Sequence, residues 1–306
     1  MQIGSGDHRY VWHEDWAKIP DTPSGRISGR THGVATLADG RVVVFAQSVP
    51  AVLFFDAAGQ LVDAWGDRFV GAHGLTVQRD ADGAEALWLV DQYSAEVSRY
   101  DLAGRRQLTL EPPPLEARPQ GKYVPTWADV NKVSGDVFVA DGYGGSVIHR
   151  FSSDGRYQQT LAGTEGAGRF DCPHALRFGH DGRMYIADRG NRRIAVYDGV
   201  GKYLFHRDDV THSPCGFDFR DGLILVPELY TGVKLLDEQL DLVAELGASD
   251  RVTPADRPDG WPQVDRSTMI EPGRFNSPHG ACFGPDGEIY VVEWIVGGRI
   301  TKLEKV

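Results

Sequence analysis

The chain has 306 residues, of which 41% are hydrophobic and 25% charged, the composition of a folded globular protein and not of a disordered one. Its 43 acidic residues outnumber its 32 basic ones and give a formal net charge of −11, so nucleic acids and anionic membrane surfaces are poor partners. Residues 1–16 lack the basic start and apolar core of a secretory signal, and no apolar run reaches 18 residues. We therefore expect a cytoplasmic protein that does not bind membranes.

Six similar segments follow one another along the chain. They begin at HGVATLADG (His32), HGLTVQRDADG (His73), WADVNKVSGD (Trp127), PHALRFGHDG (Pro173), CGFDFRDG (Cys215) and HGACFGPDG (His279). Each reads as a strand, a DG or SGD turn, a second strand such as VFVAD or MYIAD, and a polar corner. At about 50 residues each, the segments match four-stranded propeller blades. We predict an all-β fold, a six-bladed β-propeller forming one domain over residues 1–306.

Two further predictions concern the ends of this array. The C-terminal RITKLEKV leaves the last blade a strand short, so we expect the N-terminal RYVWHEDWAKI to pair with it. Residues 248–276 form a long, Pro-rich and polar segment just before the last blade. This segment is either a surface excursion or a lid over the central cavity, and both alternatives stay open.

The first strand of every propeller blade lines the channel, so equivalent first-strand positions should face a common axis. These inner positions hold His32, His73, Trp127, His174, Cys215 and His279. Neutral imidazoles converging from separate strands suit Zn²⁺, with three protein ligands and one open position defining a catalytic site. A lone channel histidine is commonly structural, but four of ten histidines at six equivalent positions favour a site. The three cysteines are widely spaced without a CxxC pair, so we expect thiols and no disulfide framework.

The corners after the second strands complete the predicted rim. The candidate substrate-pocket residues at these corners are Gln47, Gln92 and Trp294, and Trp127 and Cys215 are further pocket candidates from the inner positions. Two other corner residues, Tyr143 and Arg189, are the candidate catalytic residues. A tyrosine beside a metal can move a proton, and an arginine can hold a carboxylate bidentately. The acids that end the second strands are predicted to cap turns, namely Asp91, Asp141, Asp188, Glu228 and Glu293. The remaining histidines are predicted to be exposed: His8, His13, His149, His180, His206 and His212.

The segment PHALRFGHDGRMYIADRGNRRIAVYD resembles an NHL repeat. A narrower resemblance, over most of residues 29–304, is to peptidyl-α-hydroxyglycine α-amidating lyases. It rests on AHGL, PTWADVNKVSGDVFVADGY, PHALRF with ADRGNRRI, and SPHG, in that order.

This resemblance implies a metal-dependent carbon–nitrogen lyase with zinc bound by His73, His174 and His279. It further implies Tyr143 as the active-site tyrosine and Arg189 as one of the arginines. The expected reaction cleaves the C–N bond of an α-hydroxyglycine-like N-acyl hemiaminal, from a small-molecule or peptide-derived substrate, to an amide and glyoxylate.

The sequence departs from the family at three positions. Gln47 replaces a second arginine, which weakens recognition of a glycine carboxylate, and Ser277 replaces a methionine near the last zinc ligand. Gly280 replaces an aspartate that helps hold a structural calcium, which argues against calcium.

His32 is an addition that the resemblance does not explain. It either fills the open coordination position or shifts the preference from zinc to iron or another divalent transition metal. Two alternative functions therefore stay open. One is another metal-dependent propeller enzyme, either a hydrolase or a four-histidine iron oxygenase. The other is a non-catalytic NHL module that binds proteins.

Overall fold

The computed structural model describes residues 1–248 and 270–306. The middle of the predicted 248–276 loop, residues 249–269, lies outside these ranges. The two alternatives for that loop, a surface excursion and a lid, therefore remain predictions.

The described residues form 25 strands. In chain order the first twelve are β1 (Gln2–Ser5), β2 (His8–Ala17), β3 (Thr31–Thr36), β4 (Val42–Ala46), β5 (Val52–Phe55), β6 (Leu61–Trp65), β7 (Ala72–Arg79), β8 (Glu85–Asp91), β9 (Glu96–Asp101), β10 (Arg106–Thr109), β11 (Trp127–Val130) and β12 (Val137–Asp141). The others are β13 (Val147–Phe151), β14 (Tyr157–Leu161), β15 (Pro173–Phe178), β16 (Met184–Asp188), β17 (Arg193–Tyr197), β18 (Tyr203–Arg207), β19 (Asp218–Arg220), β20 (Leu223–Glu228), β21 (Gly232–Asp237), β22 (Leu242–Leu246), β23 (Pro278–Phe283), β24 (Ile289–Glu293) and β25 (Arg299–Lys305).

These strands form six antiparallel sheets, three in each of two compact units. The unit of residues 70–216 contains blade 2 (β7–β10), blade 3 (β11–β14) and blade 4 (β15–β18). The unit of residues 1–69 and 217–306 contains blade 1 (β3–β6), blade 5 (β19–β22) and blade 6, ordered β1-β2-β25-β24-β23. The fold class is a six-bladed β-propeller, as the repeat predicted. The single-domain assignment over 1–306 stays a prediction.

Blade 4 shows how the repeat makes a blade. Its β15–β16 hairpin closes at a turn where Gly182 has a φ of 76°, a backbone conformation that glycine adopts without strain. The middle strands β16 and β17 are buried along their whole length, whereas the outer strand β18 is partly exposed. The hairpin register pairs Pro173 with Asp188, which brings the start of the first strand beside the end of the second, as predicted.

The N-terminal strand completes blade 6. β2 pairs antiparallel with β25, and its Tyr10 and Trp12 are buried in one apolar cluster with Phe275 and Leu303. This confirms the predicted pairing of the N-terminal segment. β1 pairs with β2 as a fifth strand that the sequence did not predict.

Helices are few and short. The described residues contain one α-helix, α1 (Pro23–Ile27), and two 3₁₀ turns at Leu115–Ala117 and Pro119–Gly121. Within the described ranges, no helix has the length and apolar character needed to cross a membrane.

Candidate active site

Each of the four inner-position histidines lies at a β-bulge at the start of a first strand. In blade 4, Pro173 pairs with Asp188 and Ala175 with Ala187, so His174 is the extra residue between these two pairs. The same register shift occurs at His32, at His73 and at His279. A bulge redirects one side chain away from the regular alternation of the strand, and here that side chain is an imidazole.

Main-chain carbonyls orient the two histidines of the 70–216 unit. His73 Nδ1 lies 2.7 Å from the carbonyl oxygen of Thr126, and His174 Nδ1 lies 2.8 Å from that of Cys215. A carbonyl oxygen only accepts, so Nδ1 carries the proton in both rings and Nε2 presents its lone pair. Metal-binding histidines commonly donate their second ring N–H to a carbonyl or carboxylate in this way, which fixes the ring orientation.

Both Nε2 atoms point to the hydroxyl of Tyr143. The Tyr143 oxygen lies 3.2 Å from His73 Nε2 and 3.1 Å from His174 Nε2, and the two imidazole centroids are 4.8 Å apart. The single hydroxyl proton can serve only one of these nitrogens at a time. Two imidazole Nε2 atoms therefore converge on one point beside a phenol.

Arg189 approaches the same hydroxyl from the corner after β16. Its Nη2 donates to the Tyr143 oxygen at 3.2 Å and to the sulfur of Cys172 at 3.4 Å. Its Nη1 donates to the sulfur of Cys215 at 3.8 Å. The guanidinium thus joins the phenol to two thiols. Cys172 was not predicted as a site residue from the sequence, although it lies directly before the Pro173–His174 pair.

Burial and charge determine the protonation of this cluster. Burial lowers the pKa of His73 to about 3, and the positive charge of Arg189 lowers it in the same direction. The hydrogen bond to the carbonyl of Thr126 has the opposite effect, smaller than that of burial. His73 is therefore neutral at physiological pH, which is the form that binds metals. Burial of the hydroxyl end also raises the pKa of Tyr143, while the Arg189 guanidinium opposes that rise.

The unit of residues 1–69 and 217–306 holds the other two histidines. His279 Nδ1 donates to the carbonyl oxygen of His32 at 3.3 Å, and the two ring centroids are 4.4 Å apart. One ring nitrogen from each lies within 4.8 Å of the other. His32 also lies edge-on to Trp294 at 6.3 Å, and the Arg30 guanidinium lies 4.9 Å from the Trp294 ring centroid.

In blade 3, the inner position belongs to Thr126 and not to Trp127, which corrects the sequence assignment by one residue. Trp127 pairs with Ala140 as Ala175 pairs with Ala187, so Thr126 corresponds to His174. Trp127 is buried, and its indole N–H donates to Thr76 Oγ1 at 3.1 Å. The offset arises in the turn: six residues separate the paired Val130 and Val137 of blade 3, whereas five separate Phe178 and Met184 of blade 4.

Five corner residues make the same kind of backbone hydrogen bond, so they occupy equivalent positions in their blades. In each case the backbone N–H donates to the carbonyl two residues before the inner position: Gln47 to Arg30, Gln92 to Gly71, Tyr143 to Val124, Arg189 to Cys172 and Trp294 to Ser277. Gln47 is buried and accepts from Ser28 Oγ, whereas Gln92 is half-buried. Their predicted contact with substrate stays a prediction.

The acids that end the second strands hold these corners together. Asp91 accepts three backbone N–H groups, and Asp141 accepts those of Val124 and Gly145, which flank the Tyr143 corner. Asp188 is additionally paired with Arg193 at 2.6 Å. Glu293 accepts two N–H groups and is paired with Arg299. For these four acids the capping role is the one the sequence predicted.

His149 is fully buried, so the prediction that it is exposed was wrong. Its Nδ1 lies 2.8 Å from Thr160 Oγ1, and its Nε2 lies 3.7 Å from Asp141 Oδ2. It thus faces the buried acid of blade 3 from the third strand, where Arg193 faces the acid of blade 4. The register places Val147, and not His149, at the position equivalent to Arg193, because Val147 pairs with Asp141 as Arg193 pairs with Asp188.

The donor set fits a transition metal. Two imidazole lone pairs converge in one unit, with the sulfur of Cys215 within 4.8 Å of a ring nitrogen of His174, and a second imidazole pair lies in the other unit. Buried neutral imidazoles and thiols suit Zn²⁺ and related ions, whereas calcium requires oxygen ligands. The protein therefore has histidine and cysteine groups that could bind a metal.

Comparison with known proteins gives two sequence relatives of interest. Human NHL repeat-containing protein 3 is 28% identical over 211 residues, which are 62% of this chain and 57% of that protein. A probable peptidyl-α-hydroxyglycine α-amidating lyase of Caenorhabditis elegans is 30% identical over 145 residues, 45% of this chain and 40% of that protein. The chain spans about half the length of the curated relatives it matches. These relatives confirm the resemblance to NHL-repeat and amidating-lyase proteins, and no family model matches the chain.

Among solved structures, the chain is similar to virginiamycin B lyase from Staphylococcus aureus. The TM-score is 0.61 with 15% identity, covering 97% of this chain and all of that one. At this identity the similarity supports the fold and carries no assignment of activity.

Proposed function

We propose that the protein is a metal-dependent lyase of the amidating-lyase type, acting on an N-acyl-α-hydroxyglycine. The observation that carries the proposal is the convergence of His73 Nε2 and His174 Nε2 on the Tyr143 hydroxyl, to which Arg189 donates. A relative named as a probable amidating lyase, 30% identical over 145 residues, supports the proposed type of reaction.

Zinc is the proposed metal, with His73 and His174 as two of its ligands. The sequence resemblance adds His279, which belongs to the other unit. When bound, the metal would supply Lewis-acid polarisation of the substrate hydroxyl. The neutral state of His73 and the tautomers fixed by Thr126 and Cys215 keep the Nε2 atoms available for coordination.

Tyr143 would move the proton in the reaction. Its oxygen accepts the proton of the substrate α-hydroxyl as the C–N bond breaks and the carbonyl forms. Its own proton passes to the departing amide nitrogen, so N-acyl-α-hydroxyglycine yields one amide and one glyoxylate with no other reactant. The raised pKa of Tyr143 favours this relay, because the phenol enters the step protonated.

Arg189 would bind the substrate carboxylate. Its guanidinium lies beside the proton-transferring hydroxyl, so a bound carboxylate would place the adjacent α-carbon near Tyr143. With Gln47 in place of the family's second arginine, this single cation would carry most of the attraction.

The experiment is incubation of the metal-loaded protein with α-hydroxyhippurate, with benzamide and glyoxylate measured together against a protein-free sample. The proposal expects equal amounts of both products above the spontaneous rate. A metal-loaded protein that releases neither product above that rate would contradict it.

His32 supports a second candidate, a four-histidine iron enzyme. Its ring lies 4.4 Å from that of His279, close enough for both to face one ion. This candidate predicts iron in the purified protein and loss of that iron in His32→Ala, whereas the lyase proposal predicts zinc that survives the substitution.

A further inference from the structure

We infer that the sulfur of Cys215 is a ligand of the metal that His73 and His174 bind, so that the centre is a mixed imidazole–thiolate site. The inference rests on the metal of the proposed function, but not on the reaction. The sequence resemblance gives histidine ligands alone and does not supply this one.

The position of Cys215 in its segment is the first argument. His73 donates to the carbonyl of Thr126, and His174 donates in the same way to the carbonyl of Cys215. Cys215 therefore holds the inner position of its segment, the place that a histidine holds in four others. Zinc in proteins is bound by imidazole, carboxylate or thiolate groups, so a cysteine at this position can take the role of a histidine.

The distances are the second argument. The Cys215 sulfur lies within 4.8 Å of a ring nitrogen of His174 and 3.8 Å from Arg189 Nη1. The other terminal nitrogen of that guanidinium contacts the Tyr143 hydroxyl, which in turn contacts His174 Nε2. Sulfur and nitrogen bound to one tetrahedral zinc lie roughly 3.6 Å apart, so a small side-chain movement brings both to one ion.

The surroundings of the sulfur suit a ligand. Cys215 is fully buried, and its thiol donates to the carbonyl of Ser213 at 3.5 Å. Binding a divalent ion would release that thiol proton to the buffer and leave the thiolate facing the Arg189 guanidinium. A cation that donates to sulfur stabilises this charged form.

The other two cysteines provide matched controls. Cys172 also contacts Arg189, at 3.4 Å from Nη2, but is half-buried and lies outside the inner position. Cys282 is buried on β23 in an apolar cluster with Tyr290 and Val292. Each can be changed to serine by the same one-atom replacement.

The test is cobalt substitution of the metal-stripped protein, because a thiolate bound to Co²⁺ gives an intense charge-transfer absorption that imidazole does not. Wild type, Cys172→Ser and Cys282→Ser are expected to show this band. Cys215→Ser is expected to lose it while keeping the weaker bands of nitrogen-bound cobalt. Stoichiometric cobalt without the charge-transfer band in wild type would overturn the inference and leave the proposed lyase standing. A wild-type protein that binds no metal would overturn both.

X-ray absorption of the zinc-loaded wild type gives an answer that needs no variant. A sulfur shell at roughly 2.3 Å is expected beside nitrogen at roughly 2.0 to 2.1 Å. A first shell of nitrogen and oxygen alone would overturn the inference even if Cys215→Ser fails to fold.

Discussion

The Nδ1 nitrogen of His174 lies 2.8 Å from the main-chain carbonyl of Cys215, and this one hydrogen bond fixes which nitrogen of the ring can bind a metal. Because Nδ1 is committed as a donor to the backbone, Nε2 keeps its lone pair and faces Tyr143. The propeller thereby uses its own backbone for the orienting role that a carboxylate plays in many metal sites. His73 and Thr126 repeat the arrangement.

Replacing either histidine of this pair should remove the metal. In His73→Ala and His174→Ala the converging Nε2 pair is lost, and we expect metal content to fall by about tenfold or more. The measurement is metal per chain after desalting, with exposed His180→Ala of blade 4 as the control. Full occupancy in both histidine variants would show that the metal binds elsewhere.

Tyr143→Phe should separate chemistry from binding. Removing the hydroxyl leaves the imidazoles in place, so metal content should be unchanged while kcat falls about 10²- to 10⁴-fold. Tyr185→Phe is a suitable control, because its hydroxyl bonds Asp181 and lies outside the cluster. An unchanged kcat for glyoxylate release in Tyr143→Phe would remove the tyrosine from the mechanism.

Arg189→Lys should weaken substrate binding more than turnover. A lysine keeps the charge but loses the planar fork that holds a carboxylate, so KM should rise by about tenfold or more. Substrates with an amide in place of the carboxylate should show a much smaller change. The proposed role is wrong if both substrates lose the same factor.

The order and pairing of strands were predictable because their signals are local. The alternating pattern predicts strands over 174–179 and 183–188, and three of these four strand ends differ by one residue from the observed β15 and β16. The closing strand β2 was predicted for a similarly simple reason, since blade 6 lacked a fourth strand.

Other features of the site were not readable from side-chain identity. The turn of blade 3 is one residue longer than the turn of blade 4, so counting back from Asp141 assigned Trp127 the place of Thr126. The carbonyls that orient the histidines belong to the backbone, so the residue type does not indicate which carbonyl accepts the hydrogen bond. His149 is buried because it lies on the middle strand β13 of blade 3, a position that its side-chain type does not indicate.

The metal-stripped protein should lose stability in mild acid. The pKa of His73 is about 3 in the fold against 6.5 in the exposed chain, so between these values the unfolded state binds more protons. Proton uptake by His73 in the unfolded state is absent above pH 6.5. As pH falls from 6.5 to 5, this uptake lowers the free energy of unfolding by about 2 kcal/mol. Urea unfolding of wild type and His73→Asn at both pH values measures it. Equal acid sensitivity in the two proteins would refute the assignment.

Arg193→Gln should destabilise the corner that carries Arg189. The substitution leaves the buried carboxylate of Asp188 without its cation, and we expect a loss of about 3 kcal/mol in the free energy of unfolding. The control, Arg183→Gln, breaks the exposed pair with Asp181 in the same blade and should cost less than about 1 kcal/mol. Similar losses in the two variants would count against a structural role for the buried pair.

We propose that this propeller is a metal-dependent lyase, and glyoxylate release during metal titration is the decisive measurement. We predict that stripped protein is inactive on α-hydroxyhippurate and that glyoxylate release rises with added zinc to a plateau at one equivalent per chain. Glyoxylate release that is independent of metal, or no release at full metal occupancy, would contradict the account.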